Sequence, residues 1–570
     1  MFAMRNVEVA WIFRELADLL ELKGEDFFKI RAYRNAARIL NGLDKPLVEI
    51  WQEGGLAKIP GIGKNIAAKI NELLSTGSMK KHEELLQEFP PGLLEIMSLP
   101  GIGPKKAALL RERLGVTGLG ELARAARENR VRTLPGMGSK TESEIIRNIE
   151  MRENQGGRVL LASARELASE ICGYLKGIPG VKRVETGGSL RRWRETVGDI
   201  DLVAAGDDPP LILEGAACYP RFRQMLESSP GRAKFLTDWG IVVDLEVVPE
   251  EVFYLTLFKN TGSKAHYRRL QQLFTERGLA LEEAGITGGG AIIREQDIYA
   301  ALGLPWIPPE LREDRGEVEA ALGNCLPSLL ETDDLKGDLH IHTNWSDGIN
   351  SMEQMVQRAR AKGYQYIAVT DHSRSLKIAR GLSLEKLREQ HEKIRKMNDN
   401  LTDFRILTGI EVDILPGGGL DCPDEILEKI DVVVASVHSA FKQDRETMTR
   451  RILSAVENKN VDIIGHLTGR LILQREGYNL DFERVLEAAA GCGTILEINA
   501  SPDRLDLNDL NARKAKEKGI KIAINTDAHD LKRMDEMPYG VSVARRAWLG
   551  PGDVINTMPV EELMKFLQNR

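Results

Sequence analysis

A chain of 570 residues is too long for one hydrophobic core and predicts three or four domains. With 42% hydrophobic and 29% charged residues it has the make-up of an ordinary globular protein, and no apolar run reaches the ~18 residues of a membrane span. A formal net charge of -7 argues against a uniformly basic nucleic-acid binder, so any nucleic-acid contact has to be local.

Residues 5–42 predict helices, because Ile12, Leu16, Leu19 and Leu20 recur at helical spacing and Phe27, Phe28, Tyr33 and Ile39 continue the apolar face. One phrase then occurs three times: Ile59-Pro60-Gly61-Ile62-Gly63, Leu99-Pro100-Gly101-Ile102-Gly103 and Leu134-Pro135-Gly136-Met137-Gly138. Each precedes a Lys-bearing helix start, at Lys64, Lys105-Lys106 and Lys140. These repeats resemble the helix-hairpin-helix, in which Gly61, Gly63, Gly101, Gly103, Gly136 and Gly138 would permit tight turns. Their N–H groups would hold DNA phosphates without reading bases.

Gly187-Gly188-Ser189-Leu190-Arg191-Arg192 follows, leading to Gly198-Asp199-Ile200-Asp201. Asp199 and Asp201 point to one face of a strand and can share divalent cations, while the glycine turn, Ser189 and the arginine pair suit phosphate oxygens. Ile241 to Val248 alternates like a strand and offers a third carboxylate at Asp244. These residues resemble the nucleotidyltransferase palm of family X DNA polymerases. The resemblance implies that Asp199, Asp201 and Asp244 hold two Mg2+ (or Mn2+) ions, while Gly188, Ser189, Arg192 and Gly198 receive a dNTP. Residues 29–86 are similar to that family's lyase domain, which implies Lys69 as the Schiff-base lysine. Asn260-Thr261-Gly262-Ser263 resembles the thumb motif, with Lys259-Asn260 where the family has an aromatic pair and Tyr267 in place of a usual Asn. Charged residues 310–335, ending in Pro327 and Asp333-Asp334, predict a linker.

From Lys336 strands alternate with helices, predicting a parallel barrel whose active groups gather at strand C-termini. Metal-ligand residue types sit there: His340 and His342, Asp347, His372, Glu411, His438, His466, Asp527 and His529. So many imidazoles at one barrel mouth would repel or stay unpaired without cations. The segment resembles the polymerase and histidinol phosphatase (PHP) domain. That implies three divalent metals (Mn2+, Zn2+ or Fe2+): one held by His340, His342, Glu411 and Asp527, a second by Glu411, His438 and His466, a third by Asp347, His372 and His529. The other histidines, His82, His266 and His391, are expected to be surface or structural.

The expected whole is a multidomain α/β chain. Residues 1–90 form a helical lyase-like DNA-binding domain, 91–150 a fingers-type domain with two helix-hairpin-helix motifs, 151–250 an α+β palm, 251–315 a thumb, 316–335 a linker and 336–570 a distorted (βα)7 TIM-like PHP barrel. The resemblance implies a bacterial family X DNA polymerase that fills short gaps in repair, with a 3'-5' exonuclease and an abasic-site incision activity at the barrel. The alternatives are a barrel acting on a small phosphate ester or pyrophosphate, and a non-catalytic DNA-end-binding scaffold. Expected partners are gapped or primer-template DNA and dNTPs, with a monomeric chain and no membrane. The start lacks a signal-peptide core, and Cys172, Cys218, Cys325, Cys422 and Cys492 form no CxxC pair, so reduced thiols and a cytoplasmic location are expected.

Overall fold

In the computed structural model, the described residues are 4–569 except 5, 42, 44, 98, 100, 101, 140, 144, 147, 148, 150–156, 238, 283, 284 and 288–290. Gly101 and Lys140 therefore lie outside the described residues. The chain divides into two compact units, Met1–Gly156 and Gly157–Arg570.

The first unit is helical. Helices α1 (Asn6–Leu22) and α2 (Phe27–Asn41) bury Phe13, Leu16, Leu19, Leu20 and Leu40 in one core with Ile70, Leu73 and Leu110. Phe27 and Phe28 do not continue that face: they are 64% and 74% exposed. The Asp26 carboxylate accepts the N–H groups of Phe28 and Lys29 and so starts α2 there, with the two rings on its outer first turn. The three glycine repeats share one turn, closed by Ile62 N–H to Ile59 O, Ile102 N–H to Leu99 O and Met137 N–H to Leu134 O at 3.0–3.1 Å. In each, the apolar residue between the glycines is buried and anchors the turn, while the described glycines stay exposed. Gly61, at φ +85°, also passes Ile39 so closely that a Cβ would lie 2.6 Å from its Cδ1.

The second unit opens with a five-stranded sheet: β1 (Val181–Thr186), β2 (Asp199–Gly206), β3 (Phe222–Ser229), β4 (Arg232–Thr237) and β5 (Val242–Val248). Its order is β1-β2-β5-β4-β3, with β2 and β5 parallel and the other neighbours antiparallel. Helix α3 (Leu161–Lys176) packs Leu167, Ile171 and Leu175 onto it. A thumb follows, built on α4 (Phe253–Thr261) and α5 (Lys264–Glu276).

Residues 316–335 are not a free linker. Gly316 starts a helix Glu317–Leu322 whose Val318 and Ala321 join the thumb core, while Leu330 and Leu335 join the barrel core. The charged composition that predicts a linker conceals turn closure and pairing. Glu317 accepts from the N–H groups of Asp314 and Arg315 and lies 2.5 Å from His266 Nδ1. His266, His391 and His82 are accordingly buried, not on the surface: His391 Nε2 lies 3.1 Å from Gly409 O, and His82 Nε2 2.6 Å from Glu15.

Seven parallel strands then pair in chain order: β6 (Gly337–Ile341), β7 (Tyr366–Val369), β8 (Arg405–Asp413), β9 (Val432–Ser436), β10 (Ile463–Ile464), β11 (Ile495–Asn499) and β12 (Ile522–Asn525). A parallel bridge from Ile341 to Ala528 joins the first strand to the end of the last. Side chains alternate between two cores. Tyr366, Leu407, Val434 and Ala523 fill the lumen with Leu563 and Leu567 of the C-terminal helix, and Ile367, Ile406, Val433 and Ile522 meet the outer helices. This leaves the opposite, C-terminal strand ends for polar groups.

Barrel, palm and thumb join through charge. Glu295 takes a bidentate bond from Arg191 of the palm (2.8 and 2.9 Å) and another from Arg312 (2.6 Å), with its side chain 5% exposed. Burial pushes its carboxyl upward, but Arg312 and Arg191 overcome this and hold it at about 2 against an ordinary 4.5. Because the folded value is depressed, this stabilisation is complete above pH 4.5 and is lost as pH falls towards 2. Glu295→Gln is therefore expected to cost about 3 kcal/mol above pH 5 and progressively less below pH 4.5. Denaturant melts of both proteins across that range check it, and an equal loss at every pH would refute the assignment.

Candidate active sites

In the palm, the parallel register sets Asp201 of β2 directly beside Asp244 of β5, with Asp199 two residues earlier on the same face. Above them lies the turn into the short helix α6 (Gly188–Arg191). Gly188 has φ +56°, and a Cβ there would fall 1.7 Å from Asp201 Oδ2, so only glycine fits. Burial, then the neighbouring Asp199 and Asp244 carboxylates, push Asp201 up to about 7. Like charges held this close call for a cation. The third carboxylate is less open than expected, since both Asp244 oxygens accept from Arg232 (2.8 and 2.7 Å).

Ser189 sits half-buried on this turn, and Gly198 abuts Arg158, whose Nη1 would be 3.2 Å from a Cβ. Arg192 does not face solvent: its Nε donates to Glu313 (3.0 Å) and its Nη1 to Thr261 O (2.8 Å). The glycine turn and the thumb motif thus meet, Arg191 also reaching Thr261 Oγ1 at 2.7 Å. Asn260 Nδ2 donates to Glu246 (2.8 Å) and Lys259 Nζ to Glu282 O (3.3 Å).

At the barrel mouth all nine expected residues converge. Glu411 of β8 lies 3.5 Å from His340 Nε2, 3.6 Å from His342 Nε2, 3.2 Å from His438 Nε2 and 3.1 Å from His466 Nε2. Asp527 Oδ1 is 3.1 Å from His342 Nε2, and Asp347 Oδ1 is 3.4 Å from His529 Nε2 and 3.6 Å from His372 Nε2. Three groups of ligand atoms each lie within 4.8 Å of one another: His342, Asp347, His372 and His529; His340, His342 and Asp527; His372, Glu411 and His438. These groupings differ from the expected ligand sets: Glu411 joins His372 and His438 but not the His340, His342 and Asp527 group, His342 and His372 each join two groups, and His466 meets the cluster through Glu411.

Cations fit this donor set. His340 Nε2, both nitrogens of His342, His372 Nδ1, Glu411 Oε2, His438 Nδ1 and His466 Nδ1 are buried without a hydrogen-bond partner. Even the 2.7 Å approach of His372 Nδ1 to Glu411 Oε2 lacks hydrogen-bond alignment, which leaves both atoms available to a cation. The backbone is strained to present them, with His466 at φ 27° and Asp527 at φ 52°. Despite burial, Glu411 and Asp413 lift His438 to about 9, and Asp347 and Asp527 lift His529 to about 9. Burial, then the His529 and His372 charges, press His342 down to about 3.

Four family models match the chain: a helix-hairpin-helix domain (residues 4–79), a SAM-like helix-hairpin-helix tandem (93–150), the DNA polymerase beta thumb (256–313) and the PHP domain (338–501). The DNA polymerase/3'-5' exonuclease PolX of Bacillus subtilis strain 168 is 38% identical over 99% of this chain and 100% of its own length. The chain belongs to the PolX family of bacterial family X DNA polymerases. The barrel alone also resembles shorter proteins. Probable phosphatases of Thermoanaerobacter sp. strain X514 (35% identical) and Escherichia coli O81 strain ED1a (26%) each match 41% of this chain and 94% of themselves.

Several residues around these PolX sites escape sequence reasoning. Arg232 enters only through the hairpin pairing of β4 with β5. Glu497 accepts from the His466 backbone N–H, and its Oε1 lies 2.8 Å from His340 Nδ1, fixing the His340 ring and the His466 backbone; its place in the extended run Thr494 to Ile498 was the available signal. Arg504 Nε stands 3.9 Å from Asp527 with its side chain 23% exposed. In the first unit, Lys69 is ion-paired to Glu72 at 2.6 Å with its side chain 31% exposed.

Two outcomes follow from this geometry. Divalent cations must displace protons from His438 and His529, so Mn2+ binding is expected to release protons and to weaken about tenfold or more from pH 8 to pH 6. Calorimetry in buffers of different ionisation heat measures both, and pH-independent affinity would contradict the assignment. Gly188→Ala is expected to remove palm activity while leaving the fold and barrel cation binding intact, as read by circular dichroism and the same titration.

Proposed function

We propose that this PolX chain adds nucleotides to DNA 3' ends in its palm and removes them at its barrel mouth. The observation that carries this reading is that both acid-lined centres stand in a chain coextensive with the B. subtilis DNA polymerase/3'-5' exonuclease. In the palm, Asp199, Asp201 and Asp244 would hold Mg2+ or Mn2+, with Asp244 nearest the primer hydroxyl and oriented by Arg232. Gly188, Ser189, Arg192 and Gly198 would cradle the dNTP triphosphate. At the barrel, the nine imidazole and carboxylate residues would hold three cations of the Mn2+, Zn2+ or Fe2+ type, and Arg504, 3.9 Å from Asp527, would meet a phosphate oxygen. Divalent cations, when bound, neutralise the phosphate and acidify the attacking oxygen, a primer hydroxyl in the palm and a water at the barrel.

Gly61, Gly63, Gly101, Gly103, Gly136 and Gly138 would grip DNA through backbone phosphates, which suits gaps of any sequence. Lys69 would attack an abasic sugar only after leaving Glu72. Short-gap filling and abasic-site incision in DNA repair, by a cytoplasmic monomer, complete the reading. The probable phosphatases that match the barrel favour a second reading, in which that centre hydrolyses small phosphate esters.

A one-nucleotide-gapped duplex, incubated with dNTPs and Mg2+ or Mn2+ and scored for extension and shortening, tests both. Asp199→Ala and Asp201→Ala are expected to lower extension at least ~100-fold with shortening intact, and His340→Ala with His342→Ala the reverse. Release of phosphate from p-nitrophenyl phosphate without DNA shortening would establish the second reading and overturn the first.

A further inference from the structure

The segment leaving the palm's glycine turn is pinned to the barrel. Trp193 meets Tyr539 edge-on at 6.0 Å, and the Glu195 carboxylate accepts from Arg470 at 2.7 Å. The helix that carries Tyr539, α7 (Met537–Arg546), ends in Arg546, whose side chain is 3% exposed. Arg546 Nη1 donates to the carbonyl of Arg192 (2.7 Å) and to Glu313 Oε1 (3.0 Å), and Nη2 donates to Asp509 Oδ2 (2.8 Å). Glu313 Oε1 is also the oxygen that accepts Arg192 Nε at 3.0 Å. One carboxylate oxygen is therefore divided between a palm guanidinium and a barrel guanidinium.

We propose that Arg546, supplied by the barrel, is a positioning residue for nucleotide addition in the palm. It fixes the backbone of Arg192 through the carbonyl and, by occupying Glu313, weakens the hold of that carboxylate on the Arg192 side chain. A triphosphate must win the Arg192 guanidinium from Glu313, and it wins more easily while Arg546 holds the same oxygen. Without Arg546, Glu313 has Arg192 as its closest cation and the Arg192 carbonyl loses a buried donor. Nucleotide affinity at one centre is thus set by a helix of the domain that carries the other, although Arg546 touches neither cluster of proposed metal ligands.

The inference rests on Arg192 being a triphosphate ligand, so the test includes that residue. With the full-length chain on a one-nucleotide gap, Arg546→Ala is expected to raise KM for dNTP ~10-fold or more with kcat reduced less than ~3-fold. Shortening of the same DNA without dNTPs is expected to stay within ~2-fold of the unaltered chain. Adding Glu313→Gln to Arg546→Ala is expected to lower KM again, since it removes the competing charge; Arg546→Lys is expected to recover only part, because an ammonium lacks the fork. Should Arg546→Ala fail to fold, Arg546→Lys, which keeps the charge but loses the fork, decides: a raised KM supports the proposal and an unchanged one overturns it. An unchanged KM in Arg546→Ala, or one that Glu313→Gln does not lower, also overturns it. If Arg192→Ala itself leaves KM unchanged, the triphosphate reading of Arg192 falls and takes the inference with it; if Arg192→Ala raises KM and the Arg546 variants do not, the inference alone falls.

Discussion

Glu411 is buried at the centre of five imidazoles, and the C-terminal half of the chain is organised around the cost of keeping it there. Burial alone would drive its carboxyl towards protonation, yet His438, His372 and His340 hold it well below the ordinary range. The compensation runs both ways, since carboxylates keep His340 well above an ordinary imidazole. Protons on His340, His438 and His529 would balance the carboxylates until divalent cations took their place, while other ligand atoms, both nitrogens of His342 among them, are buried with no hydrogen-bond partner. The parallel barrel makes this arrangement geometrically ordinary. Residues at successive strand ends point to one mouth, and the C-terminal helix seals the lumen with Leu563 and Leu567.

The palm solves the same electrostatic problem in the opposite sense. Asp201 has carboxylates, not imidazoles, beside it, and it rises to about 7 while Glu411 falls. Acid therefore opposes cation loading at both centres by different routes, through Asp201 in the palm and through the histidines at the barrel. The only guanidinium bonded directly to the palm carboxylates among the described residues, Arg232, spends its fork on Asp244 and leaves Asp199 and Asp201 without one.

Much of this was legible because both sites follow period-two rules. Asp199 and Asp201 announce a shared face by spacing alone, and so do His340 and His342. The glycine repeats announce themselves by recurrence, and their common turn follows from one buried apolar residue flanked by glycines. What stayed hidden depends on pairings between distant segments. Arg232 reaches Asp244 only because a hairpin sets their strands in antiparallel register. Arg192 looks like an open phosphate ligand until Glu313, more than a hundred residues on, folds over it. Glu317 hides in a charged run that composition assigns to a linker, although its carboxylate closes the turn before a helix and lies 2.5 Å from His266 Nδ1. Phe27 and Phe28 mislead for the converse reason: helical spacing takes any apolar pair as core, whereas the Asp26 cap turns these two outward.

Two centres of opposite effect within one compact unit need a boundary that transmits position without sharing chemistry, and ion pairs suit that task better than apolar packing. A hydrophobic contact has no preferred direction, whereas a bidentate guanidinium bond fixes orientation as well as distance. At this boundary Arg191 and Arg312 share Glu295, Arg192 and Arg546 share Glu313, and Arg315 and Arg546 share Asp509. Each acid has at least two basic partners, so moving one arginine changes the hold on the next. Replacing such a network with apolar side chains of equal volume would cost little stability. It would remove the register between turn, thumb and barrel, and that register is what keeps the glycine turn closed over Asp201.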